Sequence, residues 1–398
     1  MRTPRRFILL LVLASIVGQA EGRPGPKPPR HEFSFVVLGD SQFHYPGEFN
    51  QLFDEVAVIN PSFVLQIGDM IRGYVETDDE FRAQWKRFKD QTSGLGSIPF
   101  YPVPGNHDVY SKDRTAGGAK VYQEEWGDLY YSFDYRNAHF TVLDTDQAGE
   151  FQSMTGQQLK WLEADLHKAR RKDHRFIFFH RPTHLLENGD ELHHLFIEHK
   201  VTAVFGGHQH HYHEVIRDEP PYIMTMAAAS LVTDTEKSGS FHHFLHVTVR
   251  DDDFTYAVVQ KGGAGKPGFV VFQDNKGLYR IRGRLFRPRS VVFESLEIVE
   301  GRSIVPLELT NPTDQELHVY LEWKLPTRWA VSPARGTLET LPPVTERQKV
   351  SFELDHVSQG KLEAYPTFKI QTLYLTHDDD WITTERTFEV LAKPKDGR

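Results

Sequence analysis

The residues best suited to chemistry in this sequence are polar groups that directly follow short apolar runs. The clearest example is the run from Ile98 to Val103, which leads into Gly105-Asn106-His107-Asp108. An amide, an imidazole and a carboxylate on one turn bring metal-binding or proton-transferring groups to a single point. Four more apolar runs end in the same manner, in Gly39-Asp40-Ser41-Gln42, Gly68-Asp69, His180 and Gly207-His208-Gln209-His210. The repetition predicts five strands that end at one edge of a sheet, around a metal site.

Each of these turns also has a plainer interpretation when it is taken alone. Gly39-Asp40 and Gly68-Asp69 are ordinary sequences for the turn after a strand, and His180 before Arg181-Pro182 is typical of a loop histidine. His208 and His210 would also fit the two faces of a surface strand. Because all five turns occur together and in order, we favour the metal site.

The composition indicates a globular chain with room for more than one hydrophobic core. It has 398 residues, of which 39% are hydrophobic and 25% are charged. There is no cysteine, which excludes disulfides, thiolate ligands and cysteine nucleophiles. The net charge of −9 argues against broad binding to nucleic acids or anionic membranes, apart from any nucleic acid that is itself the substrate.

The first residues have the pattern of a signal peptide, which we assign to residues 1–20. Three arginines precede the apolar run Phe7 to Val17, and Gly18-Gln19-Ala20 supplies small residues for cleavage. The run is too short to span a bilayer as a helix, so we expect a secreted or periplasmic chain without a transmembrane anchor. Arg5-Arg6 would also fit a twin-arginine signal, but the ordinary signal fits better. Residues 21–30 are predicted to be a disordered tether.

Beyond the tether, strands and amphipathic helices alternate as far as Val204, and strands follow to about residue 260. This alternation predicts an α/β domain over residues 31–260. We expect a loop from Tyr110 to Ala119 and a hairpin that turns at Arg136-Asn137. The predicted helices run from Glu48 to Ile59, from Asp78 to Asp90 and from Thr155 to Lys172.

A glycine-rich break from Lys261 to Gly268 predicts a linker, which with the basic stretch that follows it covers residues 261–288. Residues 289–392 then alternate between apolar and polar types, as in the segment from Leu317 to Trp323. Short alternating strands over about a hundred residues predict an accessory β-sandwich of immunoglobulin-like size.

Taken in order, the polar turns resemble those of the calcineurin-like metallophosphoesterase superfamily, over residues 31–260. The family pattern is Asp-x-His, Gly-Asp, Gly-Asn-His-Asp/Glu, a single His and Gly-His-x-His. This chain departs from it in the first block, where Gln42 stands in place of the histidine. The resemblance implies a fold of the α/β class, a β-sandwich flanked by helices.

The resemblance also implies two divalent or trivalent metal ions (Mn, Fe, Zn or Mg) that share the carboxylate of Asp69. Two such ions, about 4 Å apart, would activate a water molecule to hydrolyse a phosphate mono- or diester. His107 would act as the general acid on the leaving-group side and Asp108 would orient it. The implied ligands are Asp40, Gln42, Asp69 and His210 for the first ion, and Asp69, Asn106, His180 and His208 for the second.

The amide of Gln42 is a weaker donor than imidazole, so we expect looser binding of the first ion and a preference there for Mn²⁺ or Mg²⁺. His44 is an alternative ligand. His44, Tyr45 and Arg181 are also candidates for substrate contacts, with packing or solvation as the equal alternative. The other histidines are assigned outside the ligand set: His193, His194 and His199 to a solvated helix, His242, His243 and His246 to a surface strand or the cleft rim, and His211 and His213 to the stretch after the ligands.

Two further interpretations concern the C-terminal part of the chain. A basic stretch contains Lys276, Arg280, Arg282, Arg284, Arg287 and Arg289. It would bind anions or, as we prefer, pair with acidic residues of the same chain. The alternative to an enzyme is an inactive metal-binding protein, or a glycan- or partner-binding protein that acts through the sandwich. Candidate aromatic platforms for that role are Trp323, Trp329 and Trp381, although we favour them as core residues.

Overall fold

The computed structural model describes most of the chain up to residue 260 and the strands beyond it. The described residues are 29–147, 153–154, 156–215, 220–225, 228–232, 238–260, 263–265, 276–278, 280–281, 302–309, 311, 313–326, 329–332, 336–341, 348–356, 366–375 and 381–389. The predicted signal peptide and residues 21–28 of the predicted tether lie outside these ranges. Within them, no helix combines the length and the apolar character needed to cross a bilayer.

Six strands form the first sheet. In spatial order they run β12-β11-β10-β1-β2-β3, with β1, β2 and β3 parallel and the other neighbours antiparallel. In the central register Val37 lies opposite both Leu65 and Leu245. The strands are β1 (Glu32–Leu38), β2 (Val64–Ile67), β3 (Phe100–Val103), β10 (His243–Arg250), β11 (Asp253–Gln260) and β12 (Gly263–Gly265).

The second sheet also has six strands, in the order β4-β5-β6-β7-β9-β8. Its four central strands are parallel, and an antiparallel strand lies at each edge. The predicted hairpin is present and turns at Arg136, whose φ is 49°. The strands are β4 (Tyr131–Tyr135), β5 (Ala138–Val142), β6 (His174–Phe178), β7 (Ala203–Gly206), β8 (His213–Val215) and β9 (Tyr222–Met224).

The two sheets pack face to face through an aromatic core. Phe35 and Phe63 of the first sheet stack with ring centroids 5.2 Å apart, and Phe140 of the second sheet meets Phe35 edge-on at 5.3 Å. The alternation along β1 explains this packing, because successive side chains of a strand point to opposite faces. Phe35 and Val37 therefore face the second sheet, whereas the residues between and after them face the helices.

Helices cover both outer faces, so the domain has four layers. The first sheet packs against α1 (Pro46–Ile59), α2 (Asp78–Thr92) and α4 (Ala119–Trp126), and the second against α5 (Gly156–Lys168) and α6 (Gly189–Glu198). The chain also has a one-turn helix α3 (Asn106–Val109) and 3₁₀ turns at Ser93–Leu95, Ala169–Arg171 and Thr183–Leu185.

The helix boundaries follow local signals in the sequence. Thr77 and Glu80 form a capping box at the start of α2, which satisfies backbone N–H groups that have no partner within the helix. Helix α1 ends at Ile59, and its C-cap Asn60 has a left-handed conformation directly before Pro61. The helix predicted to reach Lys172 ends at Lys168 and continues only as the 3₁₀ turn Ala169–Arg171.

The C-terminal region consists of antiparallel strands in two sheets, with the orders β13-β17-β15 and β16-β14-β18-β19. A single core cluster contains residues from both sheets, including Leu321, Phe352 and Ile370. The predicted combination of an α/β fold and additional C-terminal all-β sheets is confirmed. The strands are β13 (Arg302–Leu309), β14 (Leu317–Lys324), β15 (Trp329–Ser332), β16 (Gly336–Leu341), β17 (Gln348–His356), β18 (Thr367–Leu375) and β19 (Trp381–Glu389).

Two findings bear on the interpretations of this region. Trp323 and Trp329 are buried in the core cluster, so they are core residues, as favoured above, and not exposed aromatic platforms. Leu278 and Ile281 lie in the same core, although they fall within the predicted linker. The side chain of Trp381 and the four arginines from Arg282 to Arg289 lie outside the described residues.

Candidate metal centre

The predicted ligands lie in the turns that follow the carboxyl ends of parallel strands in both sheets. Asp40 and Gln42 follow β1, Asp69 follows β2, and Asn106 lies beyond β3. His180 follows β6, and the turn after β7 carries His208 and His210. Because parallel strands present these ends at the same edge, two face-to-face sheets bring all seven side chains into one cluster.

The first group of ligand atoms surrounds Nε2 of His180. This nitrogen lies 3.0 Å from Oδ1 of Asn106, 3.2 Å from Oδ1 of Asp69 and 3.3 Å from Nδ1 of His208. The Nδ1–H of His180 donates to the carbonyl oxygen of Ile67 at 2.9 Å, which leaves Nε2 directed at the cluster. Four potential donor atoms thus converge on one point.

The second group contains Asp40, Asp69 and His210. Oδ2 of Asp40 lies 3.1 Å from Nε2 of His210, and the candidate ligand atoms of all three residues lie within 4.8 Å of one another. Nε2 of Gln42, a buried side chain, donates to Oδ2 of Asp69 at 2.6 Å. Asp69 therefore belongs to both groups, with Oδ1 beside His180 and Oδ2 beside Gln42.

The chemistry of these atoms fits cation binding. Carboxylate, amide and imidazole groups are crowded together, and Oδ2 of Asp40 is buried with no well-aligned hydrogen bond, although Nε2 of His210 lies 3.1 Å away. Such an arrangement is costly unless positive charge lies among the acceptors. The donor set of oxygen and imidazole nitrogen suits Mn, Fe, Zn or Mg. The residues present therefore fit a pair of metal ions that share Asp69.

The electrostatics of the cluster without metal point in the same direction. Burial alone would raise the pKa of Asp69, but the imidazoles of His180 and His107 hold it well below its usual range. Burial opposes a charge on His180, yet Asp69 and Asp40 raise its pKa to about 10. Burial, with the positive charges of His180 and Arg181, lowers the pKa of His208 to about 2.

Backbone conformation at the cluster is unusual for side-chain-bearing residues. Four of the predicted ligands have left-handed φ angles: 47° at Gln42, 52° at Asp69, 84° at His208 and 57° at His210. Non-glycine residues adopt this region at some energetic cost, which concentrates at functional sites. The tertiary fold must therefore hold these turns in place.

Glycine permits the close approach of two of the turns. Gly68 has a φ of 72°, and a Cβ atom there would lie 2.6 Å from Nδ1 of His180. A Cβ atom on Gly105 would lie 2.4 Å from the backbone nitrogen of Asp69. Both positions need glycine because larger residues would push the ligand loops apart.

His107 lies beside the cluster and is partly exposed. Its Nδ1–H donates to the carbonyl oxygen of Arg72 at 2.5 Å, and its Nε2 lies 3.9 Å from Oδ2 of Asp69. The ring of Tyr74 meets it edge-on, with centroids 4.8 Å apart, while the hydroxyl of Tyr74 accepts a hydrogen bond from Nδ2 of Asn106. His107 is thus held with Nε2 free on the ligand side, as the predicted acid requires.

Asp108 does not orient His107, contrary to the prediction. Its carboxylate is buried and accepts hydrogen bonds from backbone N–H groups of Gly105 at 2.9 Å, Met70 at 3.0 Å and Ile71 at 3.3 Å. Because side chains at adjacent positions of a helical turn point in different directions, Asp108 reaches the loop after Asp69 instead. Asp108 therefore ties two ligand loops together.

Arg181 is fully buried, so of its two predicted roles the structure shows packing and not substrate contact. Its Nε–H donates to Oδ1 of Asp146 at 2.7 Å, and an Nη1–H donates to Nε2 of His208 at 2.8 Å. This contact leaves Nδ1 of His208 facing His180. The arginine is a support for a ligand, which its position directly after His180 did not reveal.

The remaining candidates are divided between the rim and the core. Tyr45 is exposed on the rim, 5.0 Å from the ring of His242. Partial burial and the nearby Arg72, His210 and His107 lower the pKa of His44, so it lies close to the centre although outside both ligand groups. His213 and His243 are fully buried, which corrects the surface-strand assignment of His243.

Sequence reasoning missed Arg72, Tyr74 and Gln84. The side-chain oxygen of Gln84, on α2, accepts from the backbone N–H groups of Arg72 at 2.9 Å and Gly73 at 3.1 Å. These two hydrogen bonds anchor the turn at Arg72 and Gly73, which contacts His107. The only signal in the sequence was the glycine at position 73, because these contacts join residues that are far apart in the chain.

Comparison with known proteins agrees with this geometry. Residues 33–212 match the model of the calcineurin-like phosphoesterase family. The chain is 28% identical over 176 residues to the serine/threonine-protein phosphatase CPPED1 of Rattus norvegicus, which is 38% of this chain and 54% of that protein. The Bos taurus protein of the same name matches at 28% over 176 residues, or 53% of its length. The chain thus spans about half the length of the curated relatives it matches.

Solved structures with a similar arrangement include purple acid phosphatase PPD1 from yellow lupin seeds and a dimetal phosphatase from Danio rerio. The first is 17% identical with a TM-score of 0.48, and covers 61% of this chain and 54% of its own. The second is 17% identical with a TM-score of 0.43, and its alignment covers 59% of this chain and 97% of the Danio rerio chain. The match to the family model covers 180 of the 398 residues of this chain.

Proposed function

We propose that this chain is a metal-dependent phosphoesterase that uses water to hydrolyse a phosphate mono- or diester at a dinuclear centre. The observation that carries the proposal is the pair of ligand groups that share Asp69. Two sets of carboxylate and imidazole donors around one common carboxylate suit a pair of cations. The family match and the phosphatase relatives support the same class of reaction.

In this proposal Asp40, Gln42, Asp69 and His210 hold the first cation, and Asp69, Asn106, His180 and His208 hold the second. When bound, the two ions supply positive charge for the phosphoryl oxygens and lower the pKa of a water molecule. Gln42 ligates through Oε1 after a half-turn of its amide, an exchange of oxygen and nitrogen that leaves the shape of the side chain unchanged.

His107 has the task of moving a proton. The oxygen of water forms a bond to phosphorus while the bond between phosphorus and the ester oxygen breaks, and the departing oxygen needs a proton. Nδ1 of His107 is occupied by the carbonyl oxygen of Arg72, so only Nε2 can donate to that oxygen. His107 therefore donates the proton on Nε2 to the departing ester oxygen, and the proton that the attacking water releases replaces it.

The test is hydrolysis of p-nitrophenyl phosphate and bis-p-nitrophenyl phosphate by protein stripped of metal and then supplied with Mn²⁺, Zn²⁺, Fe²⁺ or Mg²⁺. We expect turnover only with added metal, abolished in Asp69→Ala and unchanged in the exposed control Asp113→Ala. Bound metal is measured in parallel. If the protein retains two ions but hydrolyses no ester, the alternative of an inactive metal-binding protein would stand in place of the enzyme.

We also propose that the chain is exported and processed after Ala20. The support is the pattern of arginines, apolar run and small residues within residues 1–20. N-terminal sequencing of the protein recovered from the medium or periplasm should give a chain that starts at Glu21. Recovery of a chain that still begins with Met1, inside the cytoplasm, would contradict export.

A further inference from the structure

Arg72 is an exposed arginine at the edge of the candidate metal centre. Among the residues that the structure describes, no carboxylate forms an ion pair with it. Other arginines of this acidic chain do find such partners: Arg82 pairs with Glu124 at 2.7 Å, and Arg250 pairs with Glu32 at 2.8 Å. An arginine without an acidic partner is free to bind an anion from solution.

The main chain of Arg72 is fixed on both sides. Its N–H donates to Oε1 of Gln84 at 2.9 Å, and its carbonyl oxygen accepts from Nδ1 of His107 at 2.5 Å. Because both contacts involve backbone atoms, the side chain leaves the turn from a defined point. An arginine held in this way loses less conformational entropy when it binds a ligand than one on a mobile surface.

The guanidinium group lies against the backbone of Gln42, at the edge of the candidate centre. Its Nε–H makes a long contact of 3.4 Å with the carbonyl oxygen of Gln42, whose side-chain amide lies 2.6 Å from Oδ2 of Asp69. No partner within the described chain takes its terminal Nη1 and Nη2 groups. These nitrogens are therefore available to donate to an anion that binds beside Gln42.

We propose that Arg72 binds the terminal phosphoryl oxygens of the substrate and so selects phosphate monoesters over diesters. The inference rests on the proposed function and names its substrate class. A monoester carries close to two negative charges above its second pKa of about 6, and it has three terminal oxygens. A diester carries one charge on two terminal oxygens. A forked cationic donor therefore stabilises the bound monoester more strongly.

The first experiment compares kcat/KM for p-nitrophenyl phosphate and bis-p-nitrophenyl phosphate, which share one leaving group, in the metal-loaded full chain. For Arg72→Met we expect a loss of about 10- to 100-fold with the monoester and less than about 3-fold with the diester. Arg87→Met is the matched control, since Arg87 is exposed and lies over the ring of Phe43 at 4.2 Å. It removes the same charge and should change neither value. Equal losses for both esters, or no loss, would overturn the assignment.

A second measurement does not depend on turnover. Isothermal titration of the metal-loaded protein with inorganic phosphate and with dimethyl phosphate should show tighter binding of inorganic phosphate, and Arg72→Met should remove that preference. If no ester is hydrolysed but the preference depends on Arg72, the proposed function fails and the assignment of Arg72 stands. If esters are hydrolysed but the preference for inorganic phosphate does not depend on Arg72, the proposed function stands and the assignment of Arg72 fails.

Folding of the variant is checked by thermal unfolding against the wild type. Because the side chain of Arg72 is exposed and its anchoring contacts use backbone atoms, we expect Arg72→Met to fold. Arg72→Gln is the second variant, of similar length and without charge, and the same comparison of esters decides the proposal with it if the methionine variant unfolds.

Discussion

Arg181 and Asp146 form an ion pair that is completely removed from solvent, with Nε and Oδ1 2.7 Å apart. The same guanidinium donates to the predicted ligand His208. A buried pair is not in itself a large source of stability, but the loss of one partner leaves the other charge uncompensated in the interior. The pair therefore couples the stability of the fold to the geometry of the second ligand group.

Arg181→Met should lower the free energy of unfolding by about 3–5 kcal/mol, because it leaves the buried carboxylate of Asp146 without its positively charged partner. The double variant Arg181→Met/Asp146→Leu should recover part of this loss, since it removes both charges. Urea denaturation of the metal-free proteins measures both values. If the single and double variants were equally destabilised, the coupling of the two charges would be refuted.

Asp108→Asn should destabilise the protein by about 3 kcal/mol and weaken metal binding. The carboxylate accepts from three backbone N–H groups of two ligand loops, and an amide offers only one acceptor atom in its place. Denaturation and metal titration measure the two effects. Asp128→Asn, at an exposed position, is the control. An unchanged metal affinity with a shifted titration of His107 would instead support the original idea that Asp108 orients the imidazole.

Gln42→Ala should weaken binding of one metal ion and leave the other in place, because Gln42 contacts Asp69 on one side of the shared carboxylate only. Gln42→His should bind that ion more tightly than the wild type, since imidazole is the stronger donor. Metal stoichiometry and the rise of the melting temperature with Mn²⁺ report both effects. Gln123→Ala, at an exposed position of α4, is the control. Loss of both ions in Gln42→Ala would contradict the division into two groups.

The stability of the protein should depend on pH through His139, which lies between Asp165 at 2.9 Å and Asp134 at 2.7 Å. Burial opposes its charge, but the two carboxylates raise its pKa above the ordinary value of 6.5. The stability that protonated His139 contributes is therefore complete below about pH 6.5, and it disappears as the pH rises through the raised pKa. Burial also opposes ionisation of Asp165 and Asp134, but the contacts with His139 hold the pKa values of both carboxylates below 3.8. The stability that the ionised carboxylates contribute therefore disappears as the pH falls through these lowered pKa values.

His139→Gln should accordingly be destabilising by about 2 kcal/mol near pH 5.5, and the difference from the wild type should shrink at higher and at lower pH. Urea denaturation at several pH values gives this profile. His167→Gln, at an exposed position of the neighbouring helix, is the control and should show no such dependence. A difference that stays constant from pH 4 to pH 9 would contradict the charged state of His139.

Hydrophobic periodicity was sufficient to predict the main strands and helices of residues 31–260. The residues that follow β1, β2 and β3 could be placed together because strand ends in parallel sheets meet at one edge, and the resemblance to the metallophosphoesterase pattern implied their role as ligands. The identity and order of the polar groups are local features of the chain, so they can be read without a structure. The same holds for the alternation that predicted C-terminal strands.

The direction and burial of individual side chains depended on contacts that only folding creates. Asp108 bonds to Met70, 38 residues earlier in the chain, and Arg181 is buried against Asp146, 35 residues earlier. The sequence by itself therefore determined which groups gather at the edge of the sheets. Only the tertiary structure decided which of them face the centre and which support it, because a side chain's partners are set by the loops packed around it.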